Sequence, residues 1–257
     1  MRGLLLPAAS LWWRECIRFL RDRTRAASSL ATALLFWVLI GHGLGSSFAP
    51  AGLPAGIGAI EYLYPGTIVF VVLLSAMVGT FSLIEDRRAG FLQGALVAPV
   101  PRTAIVLGKV LGGTTVAVGQ GALLLPLAPA VGIPLSVSGV LTGLAALALM
   151  AFALTSLGFI LAWRMESIQG FHGIINLLLM PMWFLSGALF PLAGAAGGLR
   201  AVMRLDPITY GLAAFRESLY GDALTTATAI PSSQAWGITV VFAVAAFAGA
   251  VAMARRS

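Results

Sequence analysis

The sequence predicts an all-α integral membrane protein, and three observations support this fold class. Hydrophobic residues account for 59% of the 257 residues and charged residues for only 10%, whereas soluble domains carry about 25% charged residues. Uncharged stretches of the length that a membrane-spanning helix needs, about 20 residues, recur along the chain. They are unbroken runs rich in Leu, Ala, Val and Gly, unlike the short alternating segments of a membrane β-barrel.

The gaps between charged residues predict six transmembrane helices. The long gap between Lys109 and Arg164 is expected to hold two of them, folded back near Pro126, Pro129 and Pro134, and each other gap holds one. The predicted spans are residues 27–48, 63–84, 105–128, 138–162, 171–193 and 233–254. Because no repeat or linker divides the chain, residues 1–257 are expected to form a single membrane domain.

The basic residues predict the orientation of these spans. If the chain crosses the membrane six times, all but three of the 16 Lys and Arg residues fall on the side of the N-terminus, the exceptions being Arg200, Arg204 and Arg216. Basic residues accumulate on the cytoplasmic side of membrane proteins, so both termini are expected to be cytoplasmic. The net charge of +7 therefore indicates topology and not a nucleic-acid partner.

Residues 8–25 predict an amphipathic helix that lies in the membrane interface before the first span. Apolar side chains fall on one face and arginines on the other: Trp12, Cys16, Phe19 and Leu20 against Arg14, Arg18, Arg21 and Arg25. Such a helix directs its guanidinium groups toward anionic headgroups. It either only positions the first span or also gathers an anionic amphiphilic substrate.

The outer segment, residues 195–221, predicts short helices that lie on the outer leaflet or dip into it as re-entrant helices. Asp206 and Pro207 are typical of a helix start, and Gly221 is typical of a helix end. These signals predict a helix over 206–220. In the preceding span, Pro181 removes a backbone hydrogen bond and is expected to kink the helix.

The spans lack the groups on which ion-coupled carriers and membrane enzymes depend. No Asp, Glu, Lys or Arg falls in the middle of a predicted span, where such carriers keep a group for the coupling ion. Neither His42 nor His172 has a charged partner in its span, and no residues have metal-ligand spacing. We therefore expect no catalytic residue and no bound metal. The alternative that stays open is an ion-coupled secondary carrier or channel without an ATPase partner, with His42 as the coupling group.

The chain also lacks a phosphate-binding loop. Around Lys109 the sequence reads TAIVLGKV, without the first Gly and the Ser or Thr that the nucleotide-binding motif requires. If this protein transports actively, its energy is expected to come from ATP bound to another subunit.

A charged segment, EDRRAGFLQGALVAPVPRTAIVLGK at 85–109, separates the second and third spans. Its leading acids favour a helix start, and Pro99 and Pro101 stop the helix, which predicts a cytoplasmic helix over 86–98. Apolar residues at helical spacing are flanked by two arginines: Phe91, Leu92, Ala95 and Leu96 with Arg87 and Arg88. This pattern predicts either a helix that docks in a groove of a soluble partner or an ordinary interfacial loop helix.

Four passages resemble the ABC type-2 transporter permeases, near the daunorubicin-resistance and nodulation-factor exporters. They are LWWRECIRFLRDR, YLYPG at 62–66, the 85–109 segment, and FLSGALFP followed by LDPITYGLAAFRESLYG at 205–221. They occur in the family's order and cover nearly the whole chain, and LVAPVPR followed by a Gly-Lys pair is the most specific part. Gly90 and Gly94 depart from the pattern and lower the helicity of the docking helix.

The resemblance implies a six-span half-transporter in the bacterial plasma (inner) membrane. It would pair with a second permease chain as a homodimer and with two copies of a cytoplasmic ABC ATPase subunit. This chain would bind no cofactor, because ATP and Mg would bind the partner subunit. It would export an apolar or amphiphilic substrate, such as a drug, a lipid or a lipid-linked glycan, from the cytoplasm or the inner leaflet.

The resemblance also implies roles for particular residues. In the family, the helix between the second and third spans couples the permease to the ATPase; the matching residues are Glu85, Arg87, Arg88, Phe91, Leu92, Leu96 and Arg102. The first, second and fifth spans line the route, with candidate pathway residues Thr32, Trp37, Ser75, Thr80, Asn176, Pro181, Trp183 and Ser186. Short helices close the outer end, with the outer gate at Asp206, Tyr210 and Phe215.

Overall fold

The computed structural model describes residues 2–21, 23–44, 57–97, 99–221 and 229–256. The regular elements in these ranges are helices: α1 (Arg2–Arg21), α2 (Arg23–Leu44), α3 (Ala59–Gly79), α4 (Phe81–Arg88), α5 (Phe91–Val97), α6 (Arg102–Leu124), α7 (Val137–Trp163), α8 (Ile168–Leu185), α9 (Gly197–Leu205), α10 (Pro207–Tyr220) and α11 (Ser232–Arg256). Short 3-10 turns follow α6 and α8, over Leu125–Val131 and Leu192–Gly194.

The described ranges contain five helical stretches that are long and apolar enough to cross a membrane. They are Ala59–Arg88, Arg102–Val131, Val137–Trp163, Ile168–Leu185 and Ser232–Arg256. They correspond to the second to sixth predicted spans, and the chain is a multi-pass membrane protein. α2 holds a shorter apolar stretch, Leu30–Gly43, within the first predicted span, whose residues 45–48 lie outside the described ranges. The count of six spans stays a prediction.

Three helix boundaries differ from those predicted. The interfacial helix predicted over 8–25 is α1 and ends at Arg21. The fifth span, predicted over 171–193, is α8 and ends at Leu185, shortly before Gly187 takes a φ of 84° that stops the helix. The single helix predicted over 86–98 is divided into α4 and α5.

α3 forms the centre of the bundle and contacts α2, α6, α7, α8 and α10. Its tyrosines are fully buried, and their hydroxyl groups donate to backbone carbonyl groups at the ends of neighbouring helices. Tyr62 donates to Gly187 O at 2.7 Å, and Tyr64 donates to Leu124 O at 2.5 Å. Because buried hydroxyl groups need such partners, these bonds fix α3 relative to α6 and α8.

α10 packs inside the bundle, against α3, α7 and α11. The Asp206 side chain caps it by accepting a hydrogen bond from Ile208 N at 3.0 Å. Leu212 and Phe215, from the predicted apolar stripe, are fully buried. The helix is thus packed within the chain, and its depth in the outer leaflet stays a prediction.

α1 packs lengthwise on α6, and two glycines of α6 make room for it. A Cβ atom at Gly108 would lie 2.6 Å from Ala8 O, and one at Gly112 would lie 2.6 Å from the Glu15 Cβ. Small residues four positions apart allow helix backbones to approach closely in membrane proteins. The helix predicted to lie in the membrane interface therefore packs on a span along its length.

We expect Gly112→Leu to force α1 away from α6 and to destabilise the protein by roughly 1–3 kcal/mol, the usual cost of overpacking. Gly119→Leu is the matched control, because a Cβ atom at Gly119, on the same helix, would have no neighbour within 4 Å. Thermal unfolding of the detergent-purified variants measures the difference. Equal midpoints for the two variants would contradict the close approach of α1 and α6.

Candidate functional site

Charged side chains are buried together where α1, α4 and α6 meet. Lys109 Nζ donates to Glu15 Oε1 at 2.5 Å, to Ser82 Oγ at 3.1 Å and to Asp86 Oδ2. The side chains of Lys109, Glu15 and Asp86 are 5%, 8% and 2% exposed. Because a buried charge is tolerated only when it is paired, these residues depend on one another.

Two arginines of α1 complete this group. Arg14 donates to both carboxylate oxygens of Asp86, at 3.1 Å to Oδ2. Arg18 lies 3.4 Å from Asp86 Oδ1 and 2.8 Å from Glu85 Oε2. Three basic and three acidic residues thus balance in formal charge, and we call Arg14, Glu15, Arg18, Glu85, Asp86 and Lys109 the ion cluster. It connects α4, the extension of the central helix, to both α1 and α6.

A tight turn joins α4 to α5. Gly90 has a φ of 74°, in the left-handed region that favours glycine, and the reversal of the chain there divides the predicted 86–98 helix. Glu85 and Asp86 consequently lie in the last turns of α4 and not at the start of a docking helix. We call α5, Phe91–Val97, the coupling segment, and the end of the bundle that carries it the α5 end.

Arg87 and Arg88 bind the end of α7. Arg87 donates to Met165 O at 3.1 Å and to Trp163 O, and Arg88 donates to Glu166 O at 3.0 and 2.7 Å. Carbonyl groups at a helix C-terminus lack intrahelical donors and carry partial negative charge. The two arginines were predicted to flank a docking surface. In the structure, their hydrogen bonds connect α4 to the end of α7.

The apolar face of the coupling segment differs from the predicted stripe. Leu92 is only 3% exposed and is buried within the chain itself, so the prediction that it faces a partner is wrong. Phe91 is 42% exposed, with the Arg14 guanidinium 3.7 Å from its ring centroid, and Val97 is 88% exposed. The Leu96 side chain and residue 98 lie outside the described part of the chain. Phe91 and Val97 are therefore the apolar groups that the described segment offers to a partner.

Arg102, the last predicted coupling residue, donates to Ala254 O at 2.8 Å. It joins the start of α6 to the final turn of α11. Its role in the structure is to connect two spans at the α5 end, which places the C-terminal helix beside the coupling segment.

A cavity of about 540 Å³ lies beside the ion cluster. Side chains from α1, α2, α3, α4, α6 and α8 line it, among them Glu15, Arg18, Thr32, Ser75, Gln120 and His172. Leu74, Val78 and Val116 supply its apolar wall. Of the predicted pathway residues, the cavity brings together Thr32 and Ser75, and the coupling residue Glu85 joins them.

The remaining predicted pathway residues do not line this cavity. Four are buried and donate to backbone carbonyl groups: Trp37 to Ile60 at 2.9 Å, Thr80 to Met77 at 2.6 Å, Trp183 to Gly66 at 2.9 Å and Ser186 to Trp183 at 2.7 Å. They hold neighbouring helices or turns in place. Asn176 and Pro181 lie on the exposed side of α8.

The predicted outer-gate residues lie on or next to α10, and one of them, Tyr210, connects it to α9. Tyr210 donates to Arg204 O at 2.8 Å, and Phe215 is buried in the core. Burial raises the pKa of Asp206 to about 7, and the hydrogen bond from Ile208 N opposes this rise. Asp206 Oδ2 has no hydrogen-bond partner among the described residues. A protonated carboxyl group suits this position, because a neutral group tolerates burial better than a carboxylate.

Arg216 is a buried residue that the sequence placed on the outer surface. It is 2% exposed, its guanidinium lies 4.1 Å from the Tyr62 ring centroid, and it donates to the Tyr62 hydroxyl at 3.1 Å. A cation over an aromatic face is favourable, and more so when desolvated. Arg216 therefore anchors α10 to the central helix.

The sequence contained a partial signal for the ion cluster. Glu15 is the acid within a run of arginines, and it falls on the same side of the helix as Trp12 and Phe19. Lys109 follows the first turn of the third predicted span, which otherwise carries no charge. An acid on an apolar face and a lysine within a span both need a buried partner of opposite charge. The sequence alone does not show that Glu15 and Lys109 are each other's partners.

Comparisons with known proteins identify relatives of this chain among membrane permeases. The chain is similar to the inner membrane transport permease YadH of Escherichia coli, with 24% identity over 238 residues, 92% of this chain and 90% of the relative. It is also similar to nodulation protein J of Rhizobium meliloti, with 28% identity over 200 residues, 76% of this chain and 74% of the relative. The model of the family described as "ABC-2 type transporter" matches residues 8–220. These residues include most of α1, the ion cluster, the coupling segment and α10, and the chain belongs to the ABC-2 type transporter family of membrane permeases.

Proposed function

We propose that this chain is the membrane subunit of an ATP-driven exporter that moves an apolar or amphiphilic substrate out of the cytoplasm or the inner leaflet. The observation that carries the proposal is the family match across residues 8–220. The coupling segment supports it, because Phe91 and Val97 are exposed on a short helix between two spans. The α5 end would face the cytoplasm of a bacterium, with the protein in its inner membrane and both termini on the cytoplasmic side.

ATP and Mg would bind a separate subunit. Permeases of this family normally work with a cytoplasmic ATPase, and this chain lacks a phosphate-binding loop. Two copies of the ATPase would serve two permease chains, each ATPase binding one coupling segment, with a homodimer of this chain as the membrane part. An apolar groove on the ATPase would bury Phe91 and Val97 as anchors.

A long helical element connects the coupling segment to the interior of the bundle. α4 follows α3 after the single residue Thr80, so Ala59–Arg88 acts as one long element that ends at the coupling segment. The ion cluster attaches this element to α1 and α6, while Arg87 and Arg88 attach it to α7. Movement of the coupling segment by the ATPase would therefore shift several helices together.

The cavity beside the ion cluster supports an amphiphilic substrate. Its charged side chains, Glu15, Arg18 and Glu85, belong to the ion cluster toward the α5 end, and residues of α3 and α6 form an apolar wall deeper in the bundle. A molecule with a polar head and an apolar body would match both parts. α2, α3 and α8, which hold the first, second and fifth predicted spans, all contribute to this cavity.

An ion-coupled carrier is the second candidate, and one observation favours it. The buried carboxylates of Glu15 and Asp86 share one ammonium group next to the cavity, and carriers often use such groups to bind a coupling ion. In an exporter, the same groups would serve only to hold the helices together.

Reconstitution distinguishes these two functions. Proteoliposomes that contain the permease and its cognate ATPase are loaded with a panel of apolar and amphiphilic compounds. We expect movement that requires ATP, that persists when ionophores collapse all ion gradients, and that His42→Gln leaves largely intact. Movement that stops under ionophores at constant ATP, or that proceeds without the ATPase, would favour the carrier.

A further inference from the structure

A pocket lined by arginines lies between α4, α5, α7 and α11. It has a volume of about 550 Å³, and Arg87, Arg164 and Arg256 contribute to its wall together with Trp163 and Met253. No Asp or Glu is among its lining residues in the described part of the chain. The pocket therefore concentrates positive charge.

Two of these arginines have guanidinium groups that are available to a ligand. Arg87 is occupied by carbonyl groups at the end of α7. Arg164 and Arg256 are exposed, and neither belongs to an ion pair among the described residues. Guanidinium groups bind phosphate oxygens in bidentate fashion, which makes an anionic phosphate group the matching ligand.

A second cavity of about 520 Å³ continues from this pocket along α11. The two share Ala252 and Arg256, and the second adds Arg255 at its rim. Its wall is formed largely by Phe247, Ala248 and Val251. A ligand that fills both would have an anionic head beside the arginines and an apolar chain along α11.

We propose that this groove binds an anionic phospholipid from the membrane leaflet at the α5 end. The position supports a lipid: Arg164 caps the C-terminus of α7, and Arg255 and Arg256 lie in the last turn of α11. Both helices are long enough to span a membrane, so these arginines lie at headgroup level. Basic pockets between spans on the cytoplasmic side are a recognised form of lipid site.

Such a lipid would contact the coupling segment directly. Leu92 and Gln93 of α5 line the same pocket as Arg164 and Arg256. A headgroup held there would fill the space between α5, α7 and α11 and steady α5 against both spans. The inference requires only that the chain spans a membrane, and it holds whether or not an ATPase drives transport.

Native mass spectrometry of the delipidated full-length protein tests the site. Phosphatidylglycerol and phosphatidylcholine with the same acyl chains are titrated separately. We expect the protein to prefer phosphatidylglycerol, and Arg164→Gln with Arg256→Gln to weaken its binding roughly thirtyfold, as expected for two arginines at a headgroup. The double Lys variant at the same positions should retain most of the preference. Arg204→Glu changes the net charge by the same two units at an exposed arginine on α9 and should leave the preference intact.

Four results would overturn the proposal. The two lipids could bind equally, or Arg204→Glu could weaken binding as much as the double Gln variant of the pocket. Glycerol phosphate without acyl chains could displace the lipid at equal concentration, which would indicate a site for free phosphate. The pocket variant could keep its lipid preference but lose the ATPase on purification, which would indicate a surface for an acidic protein partner.

Discussion

Replacement of Lys109 with methionine is expected to destabilise the folded permease by about 3–5 kcal/mol, the range for a buried ion pair that loses one partner. The Lys109 ammonium group is the shared donor to Glu15, Asp86 and Ser82. Without it, Glu15 has no other ion-pair partner among the described residues. Asp86 keeps Arg14 and Arg18, so the uncompensated charge falls mainly on Glu15.

A double variant separates this explanation from loss of packing. Glu15→Gln removes the stranded charge, so Lys109→Met with Glu15→Gln should recover most of the stability that Lys109→Met loses. Arg204→Met, at an exposed arginine on α9, serves as the control and should stay within about 0.5 kcal/mol of the unmodified protein. Thermal unfolding in detergent measures all four proteins. If Lys109→Met unfolds like Arg204→Met, the ion cluster does not hold α1, α4 and α6 together.

Replacement of Val97 with aspartate is expected to abolish copurification of the ATPase. Val97 is 88% exposed and Phe91 is 42% exposed, and burying such a side chain in a partner groove contributes roughly 1.5–3 kcal/mol. An aspartate there would also place a charge in a dry contact, which costs several kcal/mol more. Affinity should fall by at least about a hundredfold, since each 1.4 kcal/mol is tenfold.

Two further variants identify the cause. Val97→Thr keeps the side-chain shape without a charge and should retain the ATPase. Leu92→Asp should act differently from Val97→Asp: Leu92 is 3% exposed within the chain, so this variant should unfold at a lower temperature even without the ATPase. Copurification that survives Val97→Asp, in a correctly folded permease, would show that the coupling segment is only a surface loop.

The spans were predictable because membrane thickness fixes helix length and because charged residues are excluded from the interior. These constraints are visible in the sequence, and α6, α7 and α11 match their predicted spans within a few residues, while α3 begins four residues before its predicted span and ends five residues before its predicted end. The α4–α5 turn was harder to predict. Gly90 was recognised as a weak helix former, but its positive φ depends on how α4 and α5 pack.

The orientation of the coupling face could not be derived from periodicity. Phe91 and Leu92 both lie on the apolar side of a helical projection, yet α7 and α11 lie next to Leu92 and leave Val97 exposed. A periodic pattern indicates that a face is buried but does not say whether the same chain or a partner buries it. Arg87 and Arg88 illustrate the same limit, because their acceptors are backbone carbonyl groups about 76–78 positions away in the sequence.

The partners of the ion-cluster residues and of Arg216 could not be predicted either, because the paired residues are far apart in the sequence. Glu15 and Lys109 are 94 positions apart, and Arg216 and Tyr62 are 154 positions apart. Charge counting placed Arg216 on the outer side with Arg200 and Arg204. In the structure, the Arg216 guanidinium lies over the Tyr62 ring and not beside an acidic side chain of the described residues.

Photo-cross-linking from position 97 tests the central claim most directly, namely that a separate ATPase drives this permease through its coupling segment. Cys16 is the single cysteine, so Val97→Cys in a Cys16→Ser background carries one benzophenone label in membranes that also contain the cognate ATPase. Leu205→Cys, at an 83% exposed position on α9, provides the control. We predict a cross-link to the ATPase from position 97, with a yield that changes on addition of ATP, and none from position 205. Efficient labelling of position 97 without any cross-link to the ATPase would contradict the claim.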